Sequence, residues 1–132
     1  MSLSYLIDTD WVIDHFHSVE KVVEKLEELA SDGLAVSIIS LAELYEGIYY
    51  STDPIENEVA LKEFLSGISV IGIDEGICKV FGKERGELRL KGTLISDFDL
   101  FIASTCIYHN LTLLTNNRRH YEAVEKLRII SA

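Results

Sequence analysis

Residues 34–51 read LAVSIISLAELYEGIYYS. The first six, 34–39, are a short apolar run entered from Gly33, and they read as a strand buried on both faces. The next twelve, 40–51, read as a helix. Ser40-Leu41-Ala42-Glu43 fits a capping box at its start, and Asp53-Pro54 marks the break after it. A buried strand that runs straight into a helix is half of a β–α–β unit.

The same alternation continues on both sides. "SYLID" (4–8), "ISVIGI" (68–73), "LTLLT" (111–115) and "LRIIS" (127–131) read as further short apolar strands. "DWVIDHF" (10–16) suits a short helix capped by Asp10. "SVEKVVEKLEELASDG" (18–33) suits an amphipathic helix that Ser18 starts and Gly33 ends. Residues 55–67 form another amphipathic helix. Residues 74–92 read as one helix or two, interrupted at Gly82 and Gly86, and residues 97–110 as a nearly all-apolar, deeply buried helix. Strands alternating with helices imply an α/β fold: a parallel sheet of about four to five strands with helices on both faces, in one domain over 1–132.

Composition narrows the function. The 132 residues are 48% hydrophobic, enough for a real core, and no apolar run is long enough to span a bilayer. The N-terminus has no basic region and reaches acid within ten residues, unlike a signal peptide. Cys78 and Cys106 lack metal-type spacing and read as reduced, buried thiols, so a cytoplasmic protein is expected. The net charge is −10 and unevenly spread. Residues 1–77 carry 3 Lys/Arg against 16 Asp/Glu, and residues 78–132 carry 9 against 6. Such a chain does not bind nucleic acid by bulk charge. A cation loaded into a carboxylate cluster would become the dominant local charge.

The acids are placed for such a cluster. In parallel sheets, sites form outside the carboxyl ends of the strands. Asp8 ends the first strand, and Glu43 follows the second in the first turn of its helix. Asp97 and Asp99 open the buried helix before the fourth strand, and Asn117 lies just past that strand. Each has a plain alternative: Glu43 in a capping box, Asp97 as an N-cap, Asp99 as complement to the helix dipole, Asp8 in a turn. Together, three or more carboxylates on one edge repel unless they are protonated or bridged by a cation. An all-oxygen donor set, with no His or Cys at ligand spacing, suits Mg²⁺, or Mn²⁺ in its place. Mg²⁺ held by a few carboxylates commonly serves phosphate chemistry.

Four stretches in order then resemble the PIN-domain ribonucleases, and among them the VapC-type toxins of toxin–antitoxin pairs. They are "YLIDTDWVID", "VSIISLAELYEGI", "SDFDLFIAST" and "LTLLTNNRRHYEAV". The resemblance covers essentially the whole chain and implies the PIN-like three-layer α/β/α sandwich. By position, Asp8, Glu43 and Asp99 match the three core acids of the family. Asn117 stands where the family has Asp or Asn, Thr115 matches its Thr at the strand end, and Asp97 falls on a site that is often acidic. His120-Tyr121 departs from the usual acid followed by Phe. The resemblance implies a Mg²⁺-dependent endoribonuclease, an RNA substrate, a small inhibiting antitoxin and a homodimer. Asp8, Asp99 and Glu43 would serve the metal, with Asn117 and Asp97 positioning that shell and Thr115 supporting it. Arg118 and Arg119, beside the fourth position, are the candidates for RNA phosphate contact.

Two other readings compete. "LIDTD" has the strand-then-Asp-x-Asp form of haloacid-dehalogenase-like phosphatases, with Asp8 and Asp10 as nucleophile and acid. The other is a PIN-like scaffold without activity. Within "ISDFDLFIAS" (95–104), residues two apart on a helix point roughly 200° apart, so Asp97 and Asp99 cannot share one job. Asp97 is expected as the N-cap and Asp99 as the acid turned toward Asp8.

Overall fold

The computed structural model describes residues 2–132. Its elements, in chain order, are β1 (Tyr5–Ile7), α1 (Thr9–Phe16), α2 (Glu20–Leu29), β2 (Leu34–Ser37), α3 (Ile38–Tyr49), α4 (Pro54–Leu65), β3 (Ser69–Ile71), α5 (Glu75–Leu90), α6 (Asp97–His109), β4 (Thr112–Leu114), α7 (Arg118–Tyr121) and β5 (Ile129–Ile130). The five strands form one sheet in the order β3-β2-β1-β4-β5, and every neighbouring pair is parallel. The α/β expectation holds.

Strand side chains alternate between the two faces. Leu6, Ala35 and Leu113 pack with Leu88 of α5, Leu100, Ile102 and Ala103 of α6, and Tyr121 of α7. Their neighbours Ile7, Leu34, Val36 and Leu114 pack with Trp11 of α1, Val22 of α2, Leu44 of α3 and Leu61 of α4. Helices α1 to α4 therefore cover one face and α5 to α7 the other, which gives the three layers. Leu6, Ile7, Leu113 and Leu114 are fully buried, as a sheet covered on both faces requires.

Several boundaries differ from the sequence reading, each for a local reason. The second strand stops at Ser37, not at 39, because the Ser37 hydroxyl accepts from Ile39 N and caps α3 there. The capping box over Ser40–Glu43 does not form, and Glu43 lies in the second turn of its helix. Asp8, not Asp10, caps α1. Ser18 has a positive φ of 56°, and α2 starts after Val19. Helix α5 runs unbroken through Gly82 and Gly86. Of the cysteines only Cys106 is buried; Cys78 is exposed. Among the described residues no helix is long and apolar enough to cross a membrane.

Candidate active site

The strand order reverses direction between β1 and β4: β2 and β3 lie on one side, β5 on the other. The crevice outside the carboxyl ends at such a switch point is where open α/β sheets bind ligands. In the β1–β4 ladder Ile7 pairs with Leu114, so the next residues, Asp8 and Thr115, meet at that crevice. Asp8 N donates to Leu114 O at 2.9 Å, and the Thr115 hydroxyl donates to Asp8 Oδ2 at 2.8 Å. Asp8 Oδ1 accepts from Thr9 N at 2.9 Å.

Asp8 is a buried carboxylate, 4% exposed. Burial pushes its pKa up to about 6; the Thr115 hydrogen bond opposes the rise and the Asp10 charge adds to it. Among the described residues no Lys, Arg or His forms an ion pair with Asp8, Asp10 or Glu43. Glu43 is half-buried, and its Oε1 accepts from the Thr9 hydroxyl at 2.8 Å. Burial raises its pKa; the Thr9 bond works against this and the Asp99 charge with it. Glu43 and Asp99 are thus near enough to repel.

Asp99 sits in the first turn of α6, two residues from Asp97, and the two diverge as helix geometry demands. Asp99 Oδ1 accepts from the Tyr121 hydroxyl at 3.2 Å, and its Oδ2 lies 3.3 Å from His120 Nδ1. Asp97 points away to Arg85, with Nη2 at 2.6 Å from Oδ1. The expected N-cap role of Asp97 is corrected. Ser96 caps α6 by accepting from Asp99 N at 3.2 Å, and Asp97, inside the helix, is 77% exposed on its side chain. A serine one step earlier outcompetes it because its short hydroxyl reaches the third helical amide.

Asn117 starts α7 and is exposed at the crevice; its backbone N–H donates to the Thr115 hydroxyl at 3.0 Å. Arg118 and Arg119 are exposed beside it. The sequence reading passed over Thr9, which holds Glu43, and over His120 and Tyr121, which hold Asp99. It noticed His120-Tyr121 as a departure, but a pattern on one strand cannot show that a hydroxyl in α7 meets an acid of α6. It also gave no role to Asn116, which accepts from Trp11 Nε1 at 3.1 Å and donates its N–H to Asp10.

A divalent ion fits this donor set. Asp8 is buried without a cationic partner, and the Asp99 charge bears on Glu43. Among the described residues no three or more His, Cys, Asp or Glu side chains stand as a group that could hold a metal ion, so there is no ready-made cage. Mg²⁺ does not require one, since it keeps several waters and takes one or two carboxylates plus substrate phosphate. The phosphatase alternative finds no support. The Asp10 carboxylate is taken up by Trp11 N and Asn116 N, one on each oxygen, which fixes it as a structural acceptor.

Comparisons with known proteins bear on the fold and the family. Ribonuclease VapC1 of Methanocaldococcus jannaschii is 36% identical over 121 residues, covering 92% of this chain and 81% of that one. The tRNA(fMet)-specific endonuclease VapC of Salmonella typhimurium is 28% identical over 127 residues, 96% of each. The crystal structure of VapBC2 from Rickettsia felis, bound to a DNA fragment from its promoter, superposes with a TM-score of 0.91 at 31% identity over 98% of each chain. The PIN domain model itself matches residues 5–126, a span that holds Asp8, Glu43, Asp99 and Asn117 and all but the last strand of the sheet, so the chain belongs to the PIN-domain family.

Proposed function

We propose that the chain is a metal-dependent endoribonuclease of the VapC type, the toxin half of a toxin–antitoxin pair, which hydrolyses RNA phosphodiester bonds. One observation carries the reading: Asp8 is buried and uncompensated at the switch point of the sheet, on the same edge as Glu43 and Asp99. The likeness to named VapC ribonucleases supports the substrate class. Enzymes of this family are in general dependent on divalent metals, and Asp8, Asp99 and Glu43 would hold the ion, with Asn117 positioning that shell. The all-oxygen set favours Mg²⁺, with Mn²⁺ able to substitute. When bound, the ion lowers the pKa of a water and shields phosphate oxygens.

The chain's own residues do the rest. Thr115 fixes the Asp8 carboxylate, and Thr9 holds Glu43 facing the crevice, where it orients the attacking water. Arg118 and Arg119 contact the RNA phosphates. Asp97 acts at a distance, by anchoring the start of α6 to Arg85. A groove of about 360 Å³ lined by Ile13, Phe16, Leu44 and Ile48 runs up to Glu43. An antitoxin segment lying in it would cover the acids, in keeping with the likeness to toxin–antitoxin complexes. The working form is a cytoplasmic homodimer.

The test is incubation of the purified protein with labelled RNA and with a phosphomonoester, each with Mg²⁺ and with EDTA. RNA cleavage that EDTA and Asp8→Asn both abolish is the expected result. Phosphomonoester turnover without RNA cleavage would sink the proposal, and no turnover of either would favour the inactive scaffold.

A further inference from the structure

Two consecutive side chains of α7 take hold of Asp99. The Tyr121 hydroxyl donates to Oδ1 at 3.2 Å, and His120 Nδ1 lies 3.3 Å from Oδ2. Their settings differ. His120 is 57% exposed on its side chain, whereas Tyr121 is 1% exposed, with its ring among Leu6, Leu100, Ile102, Leu113 and Val124. The Tyr121 hydroxyl therefore reaches the carboxylate from the interior, on a ring that packing holds still. The charge of Asp8 also bears on this hydroxyl, which lies near both acids. One buried hydroxyl thus stands between the acid that ends β1 and the acid that opens α6.

The arrangement has a mechanical consequence. Asp8 cannot move, because Thr9 N and Thr115 hold both its oxygens. Asp99 can, since its side chain is 23% exposed and like charge on Glu43 pushes it toward water. A phenol hydroxyl has one proton to give, and here it goes to Asp99 Oδ1, so Tyr121 holds that carboxylate without adding charge. We infer that Tyr121 is a positioning residue of the metal centre: its hydroxyl keeps Asp99 turned toward Asp8 and so sets the affinity for the divalent ion. This rests on the reading of Asp8 and Asp99 as metal ligands. Removing such an outer partner of a ligating carboxylate commonly weakens metal binding by about 10–100-fold. A tyrosine that served only the core would leave metal binding alone, because phenylalanine fills the same cluster.

The experiment is a calorimetric titration of Mn²⁺ into the metal-free wild type, Tyr121→Phe and Asp99→Asn. It is run where circular dichroism shows all three folded, so lost stability cannot pass for lost binding. The expected result is binding by the wild type, none by Asp99→Asn, and an affinity about 10–100-fold lower for Tyr121→Phe. An affinity of Tyr121→Phe within twofold of wild type, or tighter, overturns the inference while Asp99→Asn leaves the metal-site reading standing. No Mn²⁺ binding by the wild type overturns that reading, and this inference with it.

Discussion

The Thr115 hydroxyl donates to Asp8 Oδ2 at 2.8 Å although the two residues are 107 positions apart in the chain. The contact follows from topology: β1 and β4 are neighbours only because the strand order reverses there, and the Ile7–Leu114 register brings the next pair side by side. Both groups are buried, so the bond cannot be exchanged for water. Thr115→Val keeps the shape and removes the donor. It should destabilise the metal-free protein by about 1–3 kcal/mol, the usual cost of an unsatisfied buried acceptor. Urea denaturation monitored by circular dichroism measures this directly.

Stability of the metal-free protein should fall as the pH rises from about 4 to about 6. Burial lifts the folded pKa of Asp8 from 3.8 to about 6, so between those values the folded state binds more protons than the unfolded one. Stability then decreases with pH. The penalty is absent below about 4 and complete above about 6, with a size on the order of 3 kcal/mol. Asp10 and Glu43, both raised chiefly by burial, act in the same direction. Melting temperatures across this range for wild type and Asp8→Asn provide the check, and the variant should show a clearly shallower decline.

Much of this was legible in the sequence, and the limits have physical causes. Short apolar runs separated by helical periods pointed to a parallel sheet, and acids at strand ends and helix starts pointed to its carboxyl edge, because side-chain period and strand polarity are local properties. Caps were misplaced at Ser37, Asp8 and Ser96, each one to three residues from the expected residue. Neighbouring Ser and Asp side chains compete for the same amides there, and only the chain's path decides between them. The holders of the acids, Thr9 for Glu43 and Tyr121 for Asp99, act between segments far apart in sequence. No spacing encodes such pairs.

The two ends of "SDFD" (96–99) should respond differently to mutation. Ser96→Ala removes the cap and should lower stability by about 1 kcal/mol. Because that hydroxyl accepts from Asp99 N, the change should also reduce RNA cleavage. Asp97→Asn weakens an exposed ion pair to Arg85 and should change stability by less than about 1 kcal/mol, with cleavage nearly intact. Asp99→Asn should leave the fold and abolish cleavage. Comparable activity losses at 97 and 99 would show that both acids serve the site.

Glu43 should show a site under electrostatic tension in the metal-free protein. The Asp99 charge helps to raise its pKa, and among the described residues no cationic side chain relieves it. Glu43→Gln removes one charge, while the amide oxygen can still accept from Thr9. The metal-free variant should therefore melt at or above the wild-type temperature, because a like-charge repulsion is gone and no hydrogen bond is lost. Added Mg²⁺ should invert the order. An ion that binds only the folded wild type stabilises it by about 2.7 kcal/mol at a hundred times its dissociation constant. The variant, short of one carboxylate, should gain much less at the same concentration. Thermal melts of both proteins with EDTA and with millimolar Mg²⁺ decide the point. A wild type that gains nothing from Mg²⁺ would mean that the acids are held apart by the fold rather than kept ready for an ion.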